Sequence, residues 1–320
     1  MEQMSTAAPR EPDRTEATDT GLDVVTGAFS YSGRAIAGRL AGAGRRVRTL
    51  TGHLQRAPDD SSIEVRPLSF DDPPALADAL HGAATLYNTY WVRFARGRID
   101  HDRAVTNSRV LFSAARRAGI QRIVHISITN PALDSPYPYF RGKALVERSL
   151  ADAGVPYAIL RPCILFGGEG VLLNNVAWLL RHLPVFAVGG DGAYRLRPIH
   201  VQDLARLCVE AGRRRDDTIV DAVGPERPSF HELVRSIRAA VGSRARIVRV
   251  PGALIPPLAW GAGAMLRDVL LTRDEYRALA DGLADTEGPA TGDTALSCWI
   301  AKNGERLGQR YANELDLHFR

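Results

Sequence analysis

Residues 24–40 read VVTGAFSYSGRAIAGRL. An apolar run closes on Thr26-Gly27, and a helical pattern opens at about Gly33. Glycine at 27 permits a tight turn, and glycine at 33 lets helix and strand approach closely. The N–H groups of such a turn, together with the helix dipole, form a seat for a pyrophosphate. The fuller pattern is Thr-Gly-x-x-Gly-x-x-Gly, and Ser30 stands at its middle glycine. A serine there is small and can donate a hydrogen bond, but it narrows the space for phosphates. Two glycines so spaced also suit an ordinary strand-to-helix turn. A place at the head of an alternating series favours the binding loop.

That series fills the first half of the chain. Short apolar runs at Leu22–Thr26, Arg46–Thr51, Ile63–Leu68, Thr85–Asn88, Ile123–Ser127 and Tyr157–Leu160 read as strands. Helices are expected over about Gly33–Ala43, Pro73–Leu80 and Asp100–Ala118, and around Lys143. Proline opens the second and Gly119 closes the third. Such alternation predicts an α/β fold, a doubly wound parallel sheet of the Rossmann type with right-handed crossovers. Past Gly167 the rhythm loosens, with a strand expected at Thr218–Val223, a helix at Ser229–Val241 and a strand at Arg246–Val250. The expected layout is a polar, disordered tail over residues 1–20 and a nucleotide-binding domain over 21–166. A smaller irregular substrate-side region covers 167–320, with 198–224 returning to the sheet.

Composition narrows the function classes. The 320 residues carry a formal charge of +5, with basic and acidic residues interspersed and no basic stripe with aromatics between. That argues against a nucleic-acid footprint and for a small-molecule partner. Cys163, Cys208 and Cys298 lack metal-ligand spacing and suit a reducing, cytoplasmic setting. No uninterrupted apolar run is long enough to span a bilayer. Residues 171–188 and 253–271 come closest; buried helices, a subunit contact or a peripheral membrane contact all fit them.

The sharpest single feature is a lysine. The chain has 39 arginines and two lysines, and Lys143 lies four residues after Tyr139. Nine tyrosines and two lysines would produce Tyr-x-x-x-Lys by chance only about 0.06 times. On a helix the two side chains share a face. An ammonium beside the phenol is expected to lower its pKa and fit it for proton transfer near neutral pH. Pro138 suits the start of that helix. A plain packing tyrosine in the PYPYF cluster is the competing reading. After the second strand, where a carboxylate would bind the ribose diol of NAD, stand Thr51, His53 and Arg56. With Arg34 they could face a 2′-phosphate instead, which favours NADP(H) over NAD(H).

Together these features resemble the short-chain dehydrogenase/reductase superfamily, in its extended and atypical branches. The segment IVHISITNPALDSPYPYFRGKALVE, residues 123–147, is most similar to the group containing the NADPH-binding accessory subunit of respiratory complex I. The resemblance implies a catalytic Tyr139–Lys143 pair. It implies a hydroxyl donor at Thr129, with Ser127 as the alternative, and Asn107 helping to hold Lys143. Arg161-Pro162 would lie beside the nicotinamide. Gly27, Phe29, Ser30, Tyr31, Gly33, Arg34, Thr51, His53, Arg56, Asn88 and Lys143 complete the expected cofactor set. Two departures stand out: Ser30, and Ser69 where the family usually has an adenine-contacting aspartate. The implied function is an NAD(P)-dependent oxidoreductase, or an epimerase or dehydratase working through transient oxidation. The alternative is a non-catalytic NADP(H)-binding sensor or accessory subunit. His125, inside a strand, reads as a packed core histidine, and Asp203 as a helix N-terminal acid.

Overall fold

A computed structural model describes residues 21–56, 58, 62–97 and 99–319. The tail expected over residues 1–20 lies outside the described residues. Strand β1 (Leu22–Thr26) is buried along its whole length, as expected of a strand covered on both faces. Its one charged residue, Asp23, takes a bidentate contact from Arg45 at 2.7 and 2.8 Å. Next come α1 (Tyr31–Gly42), β2 (Arg46–Thr51), β3 (Glu64–Pro67), α2 (Pro73–Leu80), β4 (Ala83–Asn88), α3 (His101–Arg117) and β5 (Arg122–Ile126). The run continues through α4 (Pro138–Ala151), β6 (Tyr157–Pro162), β7 (Leu165–Phe166), α5 (Val171–His182), β8 (Val185–Gly189), β9 (Ile199–His200), α6 (Val201–Arg213) and β10 (Thr218–Ala222). Last are α7 (Phe230–Ala240), β11 (Arg246–Val250), α8 (Ile255–Leu266), α9 (Arg273–Ala280), α10 (Leu296–Asn303) and α11 (Glu314–Phe319).

Seven strands form one parallel sheet in the order β10-β6-β5-β4-β1-β2-β3. This is the doubly wound Rossmann-like arrangement. Helices α2, α3 and α4 cover one face around Leu80, Leu111, Phe112 and Leu150. Helices α1 and α6 cover the other, around Ile36, Leu40, Leu204 and Cys208. Chain order reverses between β1 and β4, and a crevice opens beyond their carboxyl ends. Local signals fix the helix starts. The Asp72 carboxylate caps α2 at Ala75 N with prolines in its first turn, and Asp100 caps α3 at Arg103 N.

The later part of the chain builds a third cluster on the crevice side, where α5, α7 and α10 enclose Leu173, Leu180, Leu233 and Ile300. Strand β11 does not join the large sheet; it pairs with β8 in a separate two-stranded sheet. Of the two long apolar stretches, the first becomes α5 and β8, and the second becomes a short 3-10 turn, Gly252–Leu254, and α8. No helix among the described residues is long and apolar enough to cross a membrane.

Candidate active site

The β1–α1 loop is built around two glycines. Gly27 has φ +64°, donates to Leu50 O and accepts from Ser30 N, each at 2.8 Å. A Cβ on Gly33 would lie 2.1 Å from Gly27 O, so only glycine lets the first turn of α1 pack on the loop. That cradle fits a dinucleotide phosphate seat, with Ser30 exposed at its middle position. The Tyr31 hydroxyl donates to Gly167 O at 2.6 Å, and Arg34 reaches Glu169 at 3.0 Å and Phe29 O at 3.1 Å. The segment before α5 is thereby drawn over the loop. Burial, and then Glu169, push the Tyr31 phenol upward.

Gly27, Phe29, Ser30, Tyr31, Arg34, Thr51, His53 and Arg56 all line one cleft of about 1740 Å³. The Thr51 hydroxyl accepts from His53 N at 3.0 Å, and Arg56 donates to Asp316 O at 3.2 Å. Asn88, fully buried, serves as a brace. Its amide meets His125 Nδ1 at 3.0 Å, and its oxygen accepts from Thr26 Oγ1 at 3.2 Å and Tyr90 N at 3.0 Å. His125 is itself fully buried, with its pKa pushed well down by burial and then by Lys143.

Pro138 occupies the first turn of α4, which carries both Tyr139 and Lys143. Both side chains pack against Trp91. The Lys143 ammonium donates to Ile126 O at 2.8 Å and sits 4.7 Å from the Trp91 ring centre. Tyr139 meets the same indole edge-on at 5.7 Å, and His101 likewise at 5.7 Å. The expected lowering of the phenol is therefore not what this arrangement gives. Burial, and then the Glu275 carboxylate, push Tyr139 up, with Arg93 opposing. Lys143 moves the other way: burial pushes its ammonium down to about 7, against the pull of Glu147.

Thr129 and Tyr139 line the cleft. The Thr129 hydroxyl donates to Leu283 O at 3.0 Å, whereas Ser127 Oγ, 3% exposed, has no hydrogen-bond partner among the described residues. Asn107, on α3, is buried beside the loop after β4. Its amide donates to Tyr90 Oη at 2.8 Å. Arg161 is held by Glu147 through Nε at 3.0 Å and Nη2 at 2.5 Å, and Pro162 accepts from Thr129 N at 3.0 Å.

The sequence matches the family described as NAD(P)H-binding over residues 27–211. The chain belongs to that family. Among relatives, this NAD(P)H-binding chain is 22% identical over 239 residues to the NADH dehydrogenase [ubiquinone] 1 alpha subcomplex subunit 9, mitochondrial, of Arabidopsis thaliana. That match covers 71% of this chain and 60% of the plant protein, so the chain spans less than two thirds of that relative. It is 27% identical over 247 residues to the ceramide reductase of Caulobacter vibrioides, covering 73% of this chain and 75% of the other. Among solved structures, a Citrobacter sp. triphenylmethane reductase superposes with a TM-score of 0.73 at 17% identity, covering 89% and 99% of the two chains. That likeness places the fold.

Two residues of this NAD(P)H-binding chain carry more than their sequence positions suggest. Trp91 contacts both phenol and ammonium, and Gly142 leaves it room: a Cβ there would lie 2.8 Å from the indole. A glycine inside a helix next to the lysine is the one local sign of that neighbour. Arg93, which resembles dozens of surface arginines in sequence, lines the cleft and binds Glu275 at 2.6 Å and Glu314 at 2.9 Å.

Proposed function

We propose that this chain is an NADP(H)-dependent oxidoreductase that reduces an apolar small molecule. One cleft joins the phosphate-loop residues to Tyr139 and Thr129 and continues into a wall of Val171, Leu179, Ile255, Leu258, Leu270 and Leu279; this continuity carries the reading. Gly27, Ser30 and the α1 N-terminus would take the pyrophosphate, and Arg34, His53 and Arg56 would face the adenosine 2′-phosphate. A bound nicotinamide supplies the hydride. Tyr139, held protonated by burial, suits donation of a proton to a substrate oxygen more than abstraction of one. Thr129, by turning its hydroxyl from Leu283 O, or Ser127, whose hydroxyl has no partner among the described residues, would donate to the same developing negative charge. The relative named as a ceramide reductase agrees with a reduction on an apolar molecule.

NADPH should raise the melting temperature more than NADH, and Arg34→Ala with Arg56→Ala should remove that preference. Tyr139→Phe should keep the NADPH shift while lowering turnover of any accepted carbonyl or quinone by roughly a hundredfold or more. Equal turnover by that variant would take Tyr139 out of the reaction. A second reading, an accessory subunit with structural NADP(H), is favoured by Trp91 covering Lys143 and by the relative in the NADH dehydrogenase complex. It predicts NADPH stabilisation without turnover of any acceptor.

A further inference from the structure

Helix α8 has the sequence IPPLAWGAGAML, and only Gly263 of its twelve residues is buried. One side of it lines the cleft through Ile255, Leu258, Ala259 and Ala262. Trp260, on another side, is 76% exposed; Met265, one turn beyond Ala262 past the end of the cleft wall, is 68% exposed, and Leu254 in the turn before the helix is 48% exposed. Scattered exposed apolar residues are ordinary, but here they follow one another along a single uncharged helix.

The helix and the residues next to it in sequence carry basic charge and no exposed acid up to residue 273. Residues 250–267 contain no aspartate or glutamate. Asp268, next in sequence, is buried and accepts from the Tyr311 hydroxyl at 2.5 Å and from the N–H groups of Glu314 and Leu315 at 3.1 Å. Arg249, Arg267 and Arg273 flank the patch, all exposed and without an ion pair among the described residues. Arg267 ends α8 in the left-handed region, at φ +53°. Exposed acids stand further along the chain, at Asp274 in the first turn of α9 and at Asp316, whose N–H donates to Asn313 beside the end of α8.

We infer that α8 docks on an anionic phospholipid bilayer. Trp260 and Met265 would enter the interface while the flanking arginines meet lipid phosphates. An indole suits that depth because its ring is apolar and its N–H polar. Continuity with the apolar end of the cleft, through Leu258 and Ala262, distinguishes this face from a protein-docking patch at a distance from the site. The inference rests on the proposed reductase reading only for what the cleft would then receive; docking itself does not require turnover.

The test is co-sedimentation of the full chain with phosphatidylcholine–phosphatidylglycerol vesicles and with phosphatidylcholine alone. Binding should favour the anionic vesicles. Trp260→Ser with Met265→Ser should weaken binding by roughly tenfold or more. Arg249→Gln with Arg267→Gln should remove the preference for anionic lipid. Trp260→Ser alone, at an exposed position, should keep the wild-type melting temperature and still bind more weakly. Absence of binding, or equal binding by the double serine variant, overturns the inference. So does light scattering that finds a dimer which the serine variant dissociates, because a second copy would then cover the patch. NADPH thermal shifts on the same samples separate the two readings: loss of that shift with vesicle binding intact defeats the cofactor reading alone.

Discussion

Lys143 holds an ammonium where charge is poorly tolerated. The residue is 3% exposed, and its hydrogen bond to Ile126 O and contact with Trp91 do not offset burial, which lowers it to about 7 from an ordinary 10.5. Below about pH 7 the folded and unfolded states both bind this proton, and the cost of burying the charge is fully present. Above it the folded state releases the proton while the unfolded chain keeps it to 10.5. Stability therefore rises with pH in that window, by at most about 1.4 kcal/mol per unit from this group. Cys163 and Cys208, pushed up by burial, work in the opposite sense only once an unfolded thiol ionises near 9.0. Urea unfolding at pH 7 and pH 8.5 should show a gain of up to about 2 kcal/mol in the wild type. Lys143→Met should flatten it. A slope retained by the methionine variant would place its origin elsewhere.

At the level of elements, the β1–loop–α1 unit was legible because each of its signals is local. Gly27 carries the positive φ and Gly33 the close contact, and both stand within residues 24–40. Gly33→Ala forces a Cβ against Gly27 O, so α1 must shift off the loop. Expected effects are a loss of about 1–3 kcal/mol in urea unfolding and of most of the NADPH-induced shift. An alanine variant with wild-type NADPH binding would mean that the cradle is not the phosphate seat. The six early strands were legible for the same reason, with ends displaced by a residue or two. Strand β11 was legible as a strand, but its partner β8 was hidden inside an apolar stretch that also holds α5. Spacing put Tyr139 and Lys143 on one helix; it could not reveal Trp91, some fifty residues earlier, packed against both. The partner of the Asn107 amide, Tyr90, was hidden in the same way, because it comes from the loop after β4.

Across the whole molecule, Arg93 joins three parts of the chain that are far apart in sequence. From the loop after β4 it holds Glu275 of α9, Leu270 O at 3.2 Å and Glu314 at the start of α11. Burial alone would lower its pKa, but Glu275 and Glu314 outweigh that and raise it, so the guanidinium stays charged. Asp268 ties the same C-terminal residues through Tyr311 and the Glu314 N–H. One cation thus fastens α9 and the start of α11 to the loop after β4, while the Tyr137 hydroxyl holds Asp281 just after α9 and Thr129 holds Leu283 O. Arg93→Ala leaves two carboxylates facing each other, with side-chain exposures of 24% and 10%. Breaking a fully buried pair costs about 3–5 kcal/mol, and partial exposure here reduces the expectation to about 2 kcal/mol. The loss should be uneven. Amide hydrogen exchange should quicken across residues 268–282 and 311–316 and stay unchanged in β1, β4 and β5, whose contacts do not pass through Arg93. Glu314→Gln should release the C-terminal residues alone and leave α9 protected by Glu275. Uniform loosening of the sheet in Arg93→Ala would show that the cation supports the fold as a whole and does not act as a latch on one wall of the cleft.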